Sequence, residues 1–189
     1  MRAEALSGGF AEASVEAARA FRAVMRAMAR PGTVERVAGA APPAPLSVAA
    51  GVAVLVLCDP TTPVHLAGAH DCAALRGWIG FHTGAPVVAR GEAMFALGTW
   101  EALAPLEGYA PGTPDYPDRS ATLIVEMARL EAAGARLTGP GIREAAALSL
   151  PEVAAFEDNA ARFPLGLDFL FCCGDRLAGL PRTTRVEAI

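Results

Sequence analysis

Lysine is missing from this chain; all 16 of its basic residues are arginine. A pyridoxal-phosphate enzyme needs a lysine for its Schiff base, and a P-loop needs one for the phosphates. Neither chemistry is open to the chain acting alone. A basic surplus is missing too. The net charge is −4 and the pI is near 5.4, whereas nucleic-acid binders draw most of their affinity from neutralising phosphates. No apolar run is long enough to span a bilayer: the longest, 44–58, holds Ser47 and Gly51 and falls short of the ~20 residues required. Residues 1–14 carry Glu4 and Glu12 and no apolar h-region, which argues against a secretory signal. Cys58, Cys72, Cys172 and Cys173 lack the spacing of a disulfide framework. The expected location is the cytoplasm, with neither membrane nor nucleic acid as a partner.

Catalytic signatures are equally scarce. There is no Gly-x-Ser-x-Gly nucleophile elbow. The run from Gly139 to Glu144 lacks the third glycine of a dinucleotide fingerprint and reads as a turn. His65, His70, Cys72 and His82 match no zinc-ligand spacing. Cys172 and Cys173 are consecutive in a predicted strand, so they face opposite ways. No catalytic residue, metal or cofactor is assigned.

The material for a core is ample. Hydrophobic residues make up 53% of the 189-residue chain and mean hydropathy is +0.34. That length suits one domain over 1–189, burying roughly 70% of the surface its unfolded chain exposes, with 1–13 expected to be a loose N-terminal segment. The first helix is predicted from about Ser14, as N-cap, to Arg30, stopped by Pro31-Gly32. Phe21, Val24, Met25 and Met28 have the spacing of its buried stripe. The continuous apolar run Val52–Cys58 suggests a strand covered on both faces. A short strand over 62–66 follows, then a helix capped by Asp71 with Leu75, Trp78, Ile79 and His82 on one side, ended by Gly84 and Pro86. Strands are expected at 92–97 and 121–130, with Thr99 capping a helical turn between them. Gly134 is read as turning the second strand back into a hairpin with 135–138. A helical stretch after Gly141, a helix over 151–163, and a final hairpin 167–173/176–180 across Gly174-Asp175 complete the reading. Together these elements predict a single three-layer α/β/α domain with a mixed sheet.

Three polar concentrations stand out. Arg19, Arg22, Arg26 and Arg30 share one face of the first helix, either as a solvated surface or as a docking face for an acidic partner or phosphates. Residues 108–120 form the longest irregular stretch, with Tyr109, Asp115, Tyr116, Asp118, Arg119 and Ser120. Such a loop is either tied down by its own hydrogen bonds or a binding surface. The segment Pro181-Arg182-Thr183-Thr184-Arg185 can bind an anion through arginine and hydroxyl donors or dock on a neighbouring subunit.

Seven segments in order carry a family resemblance from about residue 20 to the end. They are Phe21-Arg-x-Val-Met-x-Ala-Met-x-x-Pro-Gly32, Asp59-Pro-Thr-Thr-Pro-Val64, Phe81-His-Thr-Gly-Ala-Pro86 and Ser120-Ala-Thr-Leu-Ile124. The others are Leu137-Thr-Gly-Pro-Gly-Ile142, Phe163-Pro-Leu-Gly-Leu-Asp168 and Pro181-Arg-Thr-Thr-Arg-Val186. On these the chain resembles the PhnH family, H subunits of the bacterial carbon–phosphorus lyase core complex. The resemblance implies a pyridoxal-phosphate transferase fold that has lost its cofactor, in keeping with the missing lysine. It implies a structural subunit of ribose 1-methylphosphonate 5-triphosphate synthase, a transferase complex that displaces adenine from ATP with a phosphonate. The I subunit is implied to carry that step, with G, H and the L protein required, and J to break the carbon–phosphorus bond later. Implied partners are the G, I and J subunits, with J the direct neighbour, and a second copy of the chain when isolated. Partner contact is expected at Arg19, Arg22, Arg26, Arg182, Thr183 and Thr184. The competing readings are a nucleotide- or phosphonate-binding module and a stand-alone acid–base or phosphotransfer enzyme of the 108–120 loop, using Asp115, Asp118, Arg119 and Arg182.

Overall fold

The computed structural model describes residues 6–188. A six-stranded mixed sheet runs in the order β1-β8-β7-β4-β3-β2. Its parallel part is β2 (Val64–Leu66), β3 (Phe95–Thr99), β4 (Thr122–Glu126) and β7 (Asp168–Cys173). β8 (Arg176–Leu180) and β1 (Glu35–Arg36) continue it antiparallel. The β7–β8 hairpin turns on Gly174-Asp175 as the sequence predicts, with Cys173 opposite Arg176. Gly174 supplies the positive φ that such a turn demands.

Both faces of the sheet are covered, so its central strands are apolar on successive residues rather than alternate ones. Ile124, Leu170 and Cys172 face α1 (Ala13–Ala29), α2 (Val48–Leu57) and α3 (Ala73–Thr83). Leu123, Val125, Phe169 and Phe171 face the opposite layer. That layer combines α4 (Trp100–Leu103) and α5 (Val153–Ala161) with a second sheet. The second sheet is antiparallel, in the order β6 (Ala146–Leu148), β5 (Ala135–Thr138), β9 (Arg185–Glu187). The α/β class and mixed sheet agree with the sequence reading, while one outer layer is part sheet.

Four local expectations are corrected. The segment 52–58 is the end of helix α2, not a strand. Ser47 caps it through its Oγ, which accepts from the Ala50 N–H at 3.2 Å, and residues 49–54 are all buried. An element buried all round carries no periodic signal, so the apolar run looked the same in either form. Strand β5 does not pair with β4, because both edges of β4 are already taken by β3 and β7. The chain therefore leaves the sheet, and β5 pairs with β6 and β9. The stretch after Gly141 yields β6 rather than a helix, since Ala146 to Leu148 close on Leu137 to Ala135.

The fourth correction concerns α1. Its buried residues are Ala20, Ala23, Val24 and Ala27, whereas Phe21 is 45% and Met25 50% exposed. The cause is close approach to β8: a Cβ at Gly179 would lie 2.8 Å from the Ala27 backbone. Only small side chains fit that seam, and the bulky ones turn outward. Cap positions shift slightly as well. Glu12, not Ser14, caps α1, with its N–H bonded to Glu16 Oε2 at 2.9 Å. Cys72 precedes α3, while Asp71 pairs with Arg76.

The loose segment expected over 1–13 lies outside the described residues at 1–5. Beyond them, Ser7 O accepts from Trp78 Nε1 at 3.0 Å and Gly8 O from the Ala41 N–H at 2.8 Å. Among the described residues no helix is long and apolar enough to cross a membrane.

Candidate functional site

The outer surface of α1 carries the first set of expected contact residues. Arg19, Arg22 and Arg26 are all exposed. Arg26 is spoken for: it makes a two-point ion pair with Glu35 on β1, at 3.0 and 2.7 Å. The hydrogen bond from Arg26 holds the Glu35 carboxyl below its ordinary range. Arg36, next along β1, reaches Asp175 at 3.2 Å, with both side chains at least half exposed. Arg19 and Arg22 have no acidic partner among the described residues. Between α1 and residues 36–39 lies a groove of ≈ 280 Å³ lined by Arg19, Arg26, Arg36 and Glu16. The surface thus offers guanidinium groups beside the exposed side chains of Phe21 and Met25.

The second set is used internally. Asp168, the first residue of β7, receives the Arg182 backbone N–H at 2.8 Å and Arg182 Nε at 3.1 Å. Arg182 Nη2 completes the fork on the same carboxylate, and Nη1 donates to the carbonyl of Pro117. The Arg182 and Asp168 side chains are 11% and 18% exposed. Thr184 is buried and Thr183 half-buried. The 108–120 loop and the 181–185 segment, separate candidates in the sequence, are therefore joined by one guanidinium.

Within that loop Tyr109 is buried beneath Arg90, whose guanidinium sits 5.0 Å from the ring centre. Arg119 stacks over Tyr116 at 4.2 Å, and Asp115 and Asp118 point to solvent. The four groups required by a stand-alone acid–base site are thus in different employment: Arg182 on Asp168, Arg119 on Tyr116, and the two aspartates in water.

The sequence reading missed Glu126. It closes β4 in register with Thr99 on β3 and Cys172 on β7, so the three side chains form a row across the carboxyl ends of parallel strands. That edge is where open α/β sheets place ligands. Glu126 Oε1 accepts the Ser47 N–H at the start of α2, at 2.7 Å. Burial raises its carboxyl pKa, partly offset by that bond. A cleft of ≈ 380 Å³ opens beside it, lined also by Thr99, Trp100 and Arg129. A carboxyl in such a place can hold or pass a proton. Its sequence signal was a lone charge ending an otherwise apolar strand. Among the described residues no group of three or more His, Cys, Asp or Glu is placed to hold a metal.

A larger cavity, ≈ 440 Å³, separates Pro105 and Leu106 from α5. Trp100 lines it and donates its indole N–H to Glu152 at 3.1 Å.

Comparison with known proteins is consistent across the chain. A family model described as bacterial phosphonate metabolism protein (PhnH) matches residues 8–187. A protein of Rhizobium meliloti is 41% identical over 190 aligned residues, spanning 96% of this chain and 95% of its own length. It is named alpha-D-ribose 1-methylphosphonate 5-triphosphate synthase subunit PhnH. A second relative, from Stutzerimonas stutzeri, is 30% identical over 89% of this chain and 84% of its own. It is named as a candidate C-P lyase subunit protein, HtxG.

Proposed function

The chain belongs to the PhnH family of bacterial phosphonate metabolism proteins, and from that premise we propose a subunit that works by association rather than by chemistry of its own. It is a component of the enzyme complex that makes ribose 1-methylphosphonate 5-triphosphate, within carbon–phosphorus lyase-dependent phosphonate use. The observation that carries this is near-full-length identity of 41% to a named synthase subunit. At that level and coverage a shared role in the same assembly is the economical reading.

Its partners are the G, I and J subunits, it self-associates as a homodimer when isolated, and it acts in the cytoplasm. Arg19, Arg22 and Arg26 belong to its partner-facing surface. Arg182 acts there through the backbone it holds, since its guanidinium is committed to Asp168 and Pro117, and Thr183 and Thr184 contribute as part of the same segment. The test is native mass. The chain is purified alone and after co-expression with the G, I and J subunits. The expected result is a dimer alone and a stoichiometric assembly with the others; a chain that remains apart in co-expression overturns the proposal.

A further inference from the structure

Exposed aromatic and long apolar side chains on a helix whose other face is fully packed call for an explanation. On α1 two of the three share one strip, and the third, Val15, lies among the arginines. Phe21 and Met25 are one turn apart, 45% and 50% exposed, with exposed Ala18 continuing the strip. Arg22, Arg26 and Arg19 form the adjacent strip on the same helix. Of these, only Arg26 has an acidic partner among the described residues. The groove beside them also holds Arg36, paired with Asp175, and Glu16. The helix has 17 residues, a length of roughly 25 Å at ~1.5 Å per residue. It is therefore long enough to receive a second helix along its ridge.

The geometry points to one occupant: an acidic amphipathic helix from another subunit of the assembly, lying along the outer face of α1. Its apolar stripe covers Phe21 and Met25, and its Asp and Glu side chains meet Arg19 and Arg22. Each chemistry is matched. Apolar anchors supply burial, and arginine forks bind carboxylates at two points. A basic or purely apolar partner would leave Arg19 and Arg22 unpaired at a dry interface, which is costly. This inference rests on the subunit reading and specifies where and by what chemistry that association is made.

Two surface variants test it in the co-expressed complex: Phe21→Ser with Met25→Ser, and Arg19→Glu with Arg22→Glu. Met94→Ser, another exposed apolar side chain, serves as control, and thermal melting of each isolated chain confirms folding. Loss of affinity by at least about tenfold in both α1 variants, with the control unchanged, is the expected result. Wild-type assembly by both folded variants overturns the inference while leaving the subunit reading intact. Failure of the unaltered chain to assemble removes the reading and the inference together. A photo-crosslinking residue placed at Ala18 identifies the occupant. Capture of an Asp/Glu-rich helix of another subunit supports the assignment. Capture of a second copy of this chain, or of a basic segment, overturns it.

Discussion

At the scale of single residues, one shielded ion pair and one partly buried carboxyl set the clearest expectations. Arg182 and Asp168 are mostly shielded from water and share a fork of hydrogen bonds. Removing one member strands the other charge, which costs about 3–5 kcal/mol in such settings. Urea denaturation should therefore show Arg182→Met losing roughly that amount, and the double variant with Asp168→Asn losing less than the two singles combined. Additive losses would mean the pair is not a unit. Glu126 gives a pH signature. Burial lifts its carboxyl pKa above the ordinary 4.5, so the folded state keeps a proton that the unfolded chain has released. Stability from this group is greatest at low pH and declines as pH rises from about the unfolded pKa through the higher folded one. In Glu126→Gln the amide oxygen can still accept the Ser47 N–H, and the slope vanishes. Thermal melts of both proteins between pH 4 and 8 should diverge toward alkaline pH, with the variant gaining; parallel curves would show that Glu126 is not perturbed.

At the scale of elements, the seam between α1 and β8 decides which face of α1 is free. Gly179 has the Ala27 backbone and Met28 Sδ within 2.8 Å of where a Cβ would stand. Gly179→Ala should push the helix off the sheet, at a cost of about 1–3 kcal/mol, read as a lowered melting temperature. An unchanged melting temperature would show the seam has slack. The same seam explains why sequence spacing misled. The stripe Phe21, Val24, Met25 and Met28 and the stripe Ala20, Ala23, Val24 and Ala27 both satisfy helical periodicity, and hydrophobicity alone favours the bulkier one. Contact distance, a property of the sheet beneath, chose the smaller. For α2 the ambiguity was of type rather than face, because an apolar run of that length fits either a buried strand or a buried helix. The Ser47 cap was the one local cue that distinguished them.

At the scale of the whole molecule, apolar layers cover both faces of the main sheet, and the proposed association is tested at the surface. The native-mass experiment and the α1 variants address that scale directly. What the sequence determined by itself was what could be read locally or by matching. The missing lysine, the Gly174-Asp175 hairpin, the stop at Pro31-Gly32, the left-handed cap at Gly84 and seven ordered segments all depend on residues near one another in the chain. Tertiary structure alone decided which strands share a sheet, which side of α1 faces water and where Arg182 spends its donors. Strand pairing depends on which edges remain open: β5 was excluded from the main sheet because β4 had no edge left. Arg182 binds a carbonyl 65 residues away in the chain, and no spacing rule encodes such a partner. Exposure of Phe21 and Met25 has the same origin, since burial is settled by the distance between elements and not by the hydrophobicity of the residues competing for it.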